Sequence, residues 1–376
     1  MRTTTRYMLA ASALAMLFAA AAPPEARADD AIHASLAKIK LPPGFKIGIY
    51  ARVPRARSMA VGKPLGVLFV GTRQDTVYAV TDRDKDRVGD EVITAIKGLK
   101  VPNGIAFHAG FLYVAEQHRV GMYAAPEFDI YNQFRVATIA KDLPDQFLHG
   151  WRYLAVGPDN KLYMAVGSPC NICDVKDPAG TIMRMNLDGS SPEVYARGVR
   201  NSVGMDFHPK TGQLFFTDNG GDGLGDNVPA DELNHAPQPG MFFGFPNYAG
   251  GDTPSPGYEG KEPASKAVMP AMAFGAHGAP LGIHFYRGKM FPKDYRGDAL
   301  VAQHGSWNRT DPYGYRILRI GFDDEGRPVK KEVFAEGWLE DGEAWGRPVD
   351  IKMLPDGSLL VSDDFAGIIY RISYGG

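Results

Sequence analysis

One pattern recurs six times along this chain and limits what it can fold into. A short apolar strand, a tight turn and a second apolar strand occur at Met59–Gly62 with Gly66–Val70, and at Gly104–His108 with Phe111–Val114. The same pair recurs at Leu154–Asp159 with Leu162–Val166, and at Gly204–Pro209 with Leu214–Thr217. The last two copies are Gly282–Tyr286 with Ala299–Ala302 and Val349–Gly357 with Leu359–Ser362. Starts at 59, 104, 154, 204, 282 and 349 are 45 to 50 residues apart at first and farther apart later. A period of that size with hairpins as the unit predicts an all-β, six-bladed β-propeller over residues 41–376. One such unit cannot bury both its faces, so neighbours must stack around an axis. A β-sandwich with chance similarity among strands is the weaker alternative. Apolar residues at helical spacing occur only in a short stretch over 31–39, at Ile32, Leu36 and Ile39. The growing intervals imply inserted loops, the clearest from Asn219 to about Pro270, rich in Gly and Pro.

The N-terminus carries a different signal. Arg2 and Arg6 precede an Ala-rich apolar run from Tyr7 to Ala22, and Ala26-Arg27-Ala28 follows as a small-x-small cleavage pattern. This order predicts a signal peptide over 1–28, with a segment 29–40 leading into the propeller. The run is too short and too weakly apolar for a membrane span. The expectation is therefore a soluble protein in the periplasm or secreted. A net charge of −2 gives no electrostatic ground for nucleic-acid binding.

Loops at one end of a propeller axis converge on a funnel. Three polar positions lie just ahead of inner strands: His149, Arg200-Asn201 and Arg347. By the symmetry of the repeat they face one another across the axis. Alone, each would pass for a turn or surface residue; together they point to a site for something polar or anionic. Two tryptophans, Trp307 and Trp345, either line that funnel or pack in the core. Cys170 and Cys173 are the only cysteines. Neither a zinc set nor a haem-attachment histidine accompanies them, so a local disulfide is expected after export. Asp82, Asp84 and Asp86 imitate the start of a calcium loop, but Ile93 stands where the twelfth-position glutamate belongs and Gly89 is two places late. A solvated turn is the first reading there and a peripheral calcium site the second.

Linked motifs make the chain resemble the soluble glucose/sorbosone dehydrogenase family, in its sorbosone-dehydrogenase-like branch. The carriers are His149 eight residues before Gly157-Pro158-Asp159, Arg200-Asn201 before Gly204, Asp231-Glu232-Leu233-Asn234, Gly244–Tyr248, Gln303–Arg309 and Gly346–Asp350. The resemblance runs from about Leu41 to Tyr374. It implies a pyrroloquinoline-quinone-dependent oxidoreductase acting on a sugar or aldehyde, with Ca2+ beside the quinone and electrons passing to a separate acceptor. It implies His149 as general base, Arg200, Asn201, His304, Arg309 and Arg347 as quinone contacts, and Gly220, Gly221, Asp231 and Glu232 around the calcium. Arginines suit the quinone's three carboxylates because a guanidinium clamps a carboxylate through two parallel hydrogen bonds. The chain departs from the family pattern at Leu148, where an acidic residue is usual, and at Val349, where a second arginine is usual. Two readings from other classes stand beside this one: a calcium-dependent, lactonase-like propeller hydrolase, and a non-catalytic binding propeller.

Overall fold

The computed structural model describes residues 32–63, 65–124, 126–131, 136–263 and 265–375. The expected signal peptide over 1–28 lies outside them. Residues 1–37 and Lys38–Gly376 form separate units. In the first, the described part holds one helical turn over 32–36, shorter than the stretch expected. The second is a six-bladed β-propeller, and it takes in a little more chain than the expected start at 41, since Lys40 pairs with Glu336.

Each blade is an antiparallel sheet of four strands, named here from the axis outward. Blade 1 is Ala56–Val61, Leu68–Thr72, Val77–Thr81 and Glu91–Ile96; blade 2 is Gly104–His108, Phe111–Ala115, Val120–Ala124 and Val136–Ala140. Blade 3 is Tyr153–Val156, Lys161–Val166, Thr181–Asn186 and Glu193–Arg197, extended by a short parallel strand, Met241–Phe242. Blade 4 is Gly204–Phe207, Leu214–Asp218, Glu232–Ala236 and Met272–Ala273; blade 5 is Pro280–Phe285, Ala299–Gln303, Arg316–Phe322 and Pro328–Glu336. Blade 6 is Pro348–Met353, Leu359–Asp363 and Ile368–Tyr374, and its outer strand comes from the other end of the chain, Phe45–Arg52. That exchange joins the first strand to the last and closes the ring. It also pairs the outer edge of Ile368–Tyr374, which would otherwise offer free backbone groups.

The six expected repeats are the inner two strands of the six blades. Their first strands touch in a closed circle around the axis. Second strands such as Leu68–Thr72, Leu214–Asp218 and Leu359–Asp363 are buried throughout, because a sheet packs on each face. Apolar clusters accordingly lie between blades, as with Tyr163, Phe207 and Phe216 between blades 3 and 4. The crowding explains the glycine that opens an inner strand: a Cβ on Gly204 would lie 2.0 Å from the carbonyl oxygen of Leu281 in the next blade.

The segment expected as one inserted loop, 219–270, is not one loop. Glu232–Ala236 within it is the third strand of blade 4. It escapes a periodicity reading because Glu232 and Asn234 are buried polar residues where a core strand would show apolar ones.

Candidate active site

At one end of the axis a pocket of about 340 Å³ opens among the blades, with Arg57, Arg73, His149, Arg200, Asn201, Gly220, His304, Trp307 and Arg347 among its lining residues. Val203 and Leu281 also line it, and with Val349 they form an apolar cluster at the inner strands of blades 4, 5 and 6. Val349, which stands where the resemblance would place a second arginine, is buried in that cluster. Leu148, the other departure, is an exposed part of the pocket rim.

His149 precedes the inner strand of blade 3 with φ +49°, and a Cβ on Gly167 would lie 2.6 Å from the His149 Cβ. This tight approach brings the imidazole to the end of the neighbouring strand, where Nδ1 is 3.0 Å from the Ser168 carbonyl oxygen. Nδ1–H donates to that carbonyl, which leaves Nε2 an unprotonated acceptor. Among the described residues Nε2 has no hydrogen-bond partner. Burial pulls the pKa of His149 down to about 4, and the Arg200 charge adds to the shift, so the ring is neutral near pH 7.

Arg200 is almost wholly buried and committed to protein. Nε donates to the Asn171 carbonyl at 3.0 Å, Nη1 to the Asn219 carbonyl at 3.1 Å, and Nη2 to Asn171 Oδ1 and Asp222 Oδ2, both at 2.7 Å. The Asn201 side chain borders the pocket with no hydrogen bond among the described residues. Asp218, at the end of the second strand of blade 4, positions both: its carboxylate accepts the backbone N–H of Arg200 at 2.8 Å and of Asn201 at 2.6 Å. Arg347 donates to the carbonyls of His304 at 3.1 Å and Gly305 at 2.7 Å. His304 Nε2 is 2.8 Å from Asp364 Oδ1, and Arg57 Nη1 is 2.9 Å from the other oxygen. Burial alone would raise the Asp364 carboxyl; His304 and Arg57 outweigh it and hold the group well below the usual carboxylate range. His304 therefore has its Nε2 engaged, whereas His149 has its Nε2 open.

Three other expected site residues are engaged with the protein as follows. Arg309 does not border the pocket; its guanidinium is spent on the carbonyls of Asp226, Ala276 and Asp311, bracing two loops. Asp231 is buried, borders the pocket, and accepts the N–H of Gly220 at 2.9 Å and of Ala279 at 3.0 Å. Gly221 borders neither the pocket nor the small cavity beside it, and its N–H donates to the Ala249 carbonyl at 2.7 Å. Glu232 is likewise engaged, accepting the N–H of Gly251 and, at 2.7 Å, the side-chain amide of Asn234. The register places Glu232 directly opposite Asp218 on the neighbouring strand, and both line a small space of about 10 Å³ with Arg200, Asn219, Gly220, Tyr248 and Ala249. Like charges directly opposite on a sheet repel. Burial pushes both carboxyls well above the usual range, and the Asp218 charge raises Glu232 further.

The two cysteines form a disulfide. Its loop carries Asn171, which grips Arg200 through both its carbonyl and its side chain. Removing the bridge with Cys170→Ser and Cys173→Ser is expected to cost about 2 kcal/mol of stability by the chain-entropy estimate, measurable by denaturant titration. Of the two tryptophans, Trp307 lies exposed on the pocket rim, and Trp345 packs against Trp338 and Tyr370. Asp82, Asp84 and Asp86 bring carboxylate oxygens within 4.8 Å of one another in the outer hairpin of blade 1.

The profile of the glucose/sorbosone dehydrogenase family matches residues 131–371. The chain belongs to that family. An uncharacterized protein of Borreliella burgdorferi is 35% identical over 358 residues, covering 89% of this chain and 91% of its own. Among solved structures, an enzyme of carbohydrate-active family AA12 from Trichoderma reesei superposes with a TM-score of 0.77 at 21% identity, over 90% of this chain and 98% of that one. The PQQ domain of a pyranose dehydrogenase from Coprinopsis cinerea gives 0.74 at 20%, over 89% and 97%. A PQQ-bound aldose sugar dehydrogenase from Streptomyces coelicolor gives 0.61 at 20%, over 89% and 99%. These likenesses establish the propeller.

In this family member, several residues of the site had escaped the sequence reading: Arg57, Arg73 and Asp222 line the pocket, and Asp218 and Asp364 hold residues that do. One signal for Asp218 was available. The second strands of blades 2, 4 and 6 are capped by Glu116, Asp218 and Asp363, and each carboxylate accepts a backbone N–H ahead of the inner strand, from Lys100, Arg200 and Arg347. An acid at that repeat position marks a blade whose axial loop is being held.

No helix among the described residues is long and apolar enough to cross a membrane.

Proposed function

We propose that this protein is an exported sugar or aldehyde dehydrogenase that uses pyrroloquinoline quinone with calcium and passes electrons to a separate acceptor. The observation that carries the reading is an axial pocket whose wall combines several guanidinium groups with one neutral histidine that has an open acceptor nitrogen. The pocket fits the quinone by size and charge: about 340 Å³, within the range of small-molecule sites, and rich in groups that pair with carboxylates. Arg347, Arg57 and the free Asn201 amide would hold it, with Arg200 fixing the wall. The oxygen-lined space between Asp218 and Glu232 suits a hard cation such as Ca2+, which would relieve the repulsion between two buried carboxyls. Gly220 belongs to both walls, so an ion there would brace the pocket. When bound, the quinone supplies the two-electron acceptor, and calcium supplies Lewis acidity.

The chain's own part is binding, orientation and proton transfer. The Ser168 carbonyl fixes the His149 tautomer, so Nε2 takes the proton of the substrate hydroxyl as its carbon loses hydride. Positive charge gathered on the ring then remains hydrogen-bonded to Ser168. The hydrolase reading is favoured less because four arginines line the axial pocket, which suits an organic anion better than a metal held by side-chain carboxylates.

The deciding experiment adds the quinone and calcium to purified quinone-free protein and follows absorbance, then turnover with aldoses and aldehydes. A saturable spectral change with one quinone per chain, followed by turnover, is the expected result. Absence of binding overturns the proposal; binding without turnover on any donor favours the binding-propeller reading.

A further inference from the structure

Four arginines line the axial pocket, and three are accounted for. Arg57 meets Asp364 and Asn103, Arg200 meets Asp222 and three other oxygens, and Arg347 meets two backbone carbonyls. Arg73 is the exception. Among the described residues it makes no hydrogen bond and no ion pair. Its guanidinium carbon lies 3.5 Å from the centroid of the Trp151 ring. Stacking of this kind occupies the flat face of the group and leaves the N–H edge free. Trp151 stands two residues after His149, so the free edge is presented beside the segment that carries the candidate base. Arg73 is exposed, which sets it toward the mouth rather than the floor.

We propose that Arg73 is an anion-recognition residue that takes a carboxylate in this pocket, and that the carboxylate belongs to an acidic sugar, a uronic acid, presented to His149. This deepens the sugar-dehydrogenase reading and rests on its placing of the substrate in this pocket. The physical reason is charge left over. Loss of solvent and the Arg57 charge pull its pKa down to about 10 while the Asp364 charge works the other way, and no carboxylate among the described residues completes the offset with a hydrogen bond. A bound carboxylate would do so in the fork geometry that guanidinium favours. The same chemistry could be met by a carboxylate of the quinone itself, and the test separates the two.

Quinone-free protein is titrated with D-galacturonate and D-galactose by calorimetry and Trp fluorescence, in wild type and in Arg73→Gln. The wild type should bind the uronate at least about tenfold more tightly than the neutral sugar, a margin set by one charge-assisted pair, and Arg73→Gln should lose that margin. In the quinone-loaded enzyme, the ratio of kcat/KM for galacturonate over galactose should fall by a similar factor. Arg73→Lys, which keeps the charge without the fork, should fall between, and it serves if the glutamine variant does not fold. If Arg73→Gln instead weakens quinone binding tenfold and leaves the sugar preference alone, the carboxylate is the cofactor's and the uronate assignment is overturned. If neither changes, Arg73 recognises no carboxylate. The quinone-free titration stands even if no quinone binds, so the two readings fail separately.

Discussion

Replacing His149 with alanine is expected to leave quinone and calcium binding nearly intact while lowering turnover by about 10²- to 10⁴-fold, the usual loss for a general base. Among the described residues the side chain forms hydrogen bonds only to Ser168, so its removal should disturb little else, and near-wild-type affinity for the quinone by absorbance is the control. The pH profile gives an independent check. The folded-state pKa is depressed to about 4, so the imidazole is a competent acceptor at every pH above that value. The acid limb of kcat/KM should therefore lie near pH 4, not at the 6.5 of a free histidine. The sign for stability follows the same shift: between about pH 6.5 and 4 the unfolded chain binds more protons at this site, so the contribution of His149 to stability falls as the solution is acidified. Undiminished turnover by His149→Ala would move the base elsewhere. His304 would then be the first candidate, although its Nε2 is tied to Asp364.

Calcium should stabilise the protein strongly, and Glu232→Gln should abolish most of that effect. Asp218 and Glu232 stand opposite each other on adjacent strands, both buried, around a space the size of one ion or water. A ligand that binds only the folded state adds about 4 kcal/mol at a free concentration a thousand times Kd, enough to raise Tm by several degrees in a domain of this size. Thermal denaturation with calcium and with chelator measures it. In Glu232→Gln one of the two opposed carboxyls is gone, so the variant should be less sensitive to chelator than wild type. Equal calcium shifts in wild type and variant would place the ion elsewhere.

The architecture was legible because a propeller writes itself into sequence as a period. Six copies of a two-strand pattern fall on the inner strands of six blades, where burial from both sides demands runs such as Leu-Phe-Val and Leu-Leu-Val. The outer strands were harder. Val136–Ala140 and Pro328–Glu336 are largely exposed, and Glu232–Ala236 buries polar side chains, so none shows a clean apolar rhythm.

The site divides in the same way. Placement along the repeat was enough to bring His149, Arg200, Asn201 and Arg347 to one pocket, since equivalent positions in a closed ring face one axis. What each guanidinium does there depends on contacts between distant segments. Arg200 is spoken for by Asn171 and Asp222, Arg309 by the loop around Asp226, and Arg73 by no hydrogen-bonding group among the described residues. Pattern alone could not distinguish these arginines, because hydrogen-bond partners 20 to 90 residues away are chosen by packing. Likewise the pairing of Asp218 with Glu232 is a matter of register, and the joining of Phe45–Arg52 to Ile368–Tyr374 is a matter of ring closure. Local periodicity by itself determined the blade, its number and the end of the axis where polar residues gather. Only the tertiary structure decided which charges are paired and which are free, because charge compensation in a buried site is a property of neighbours in space.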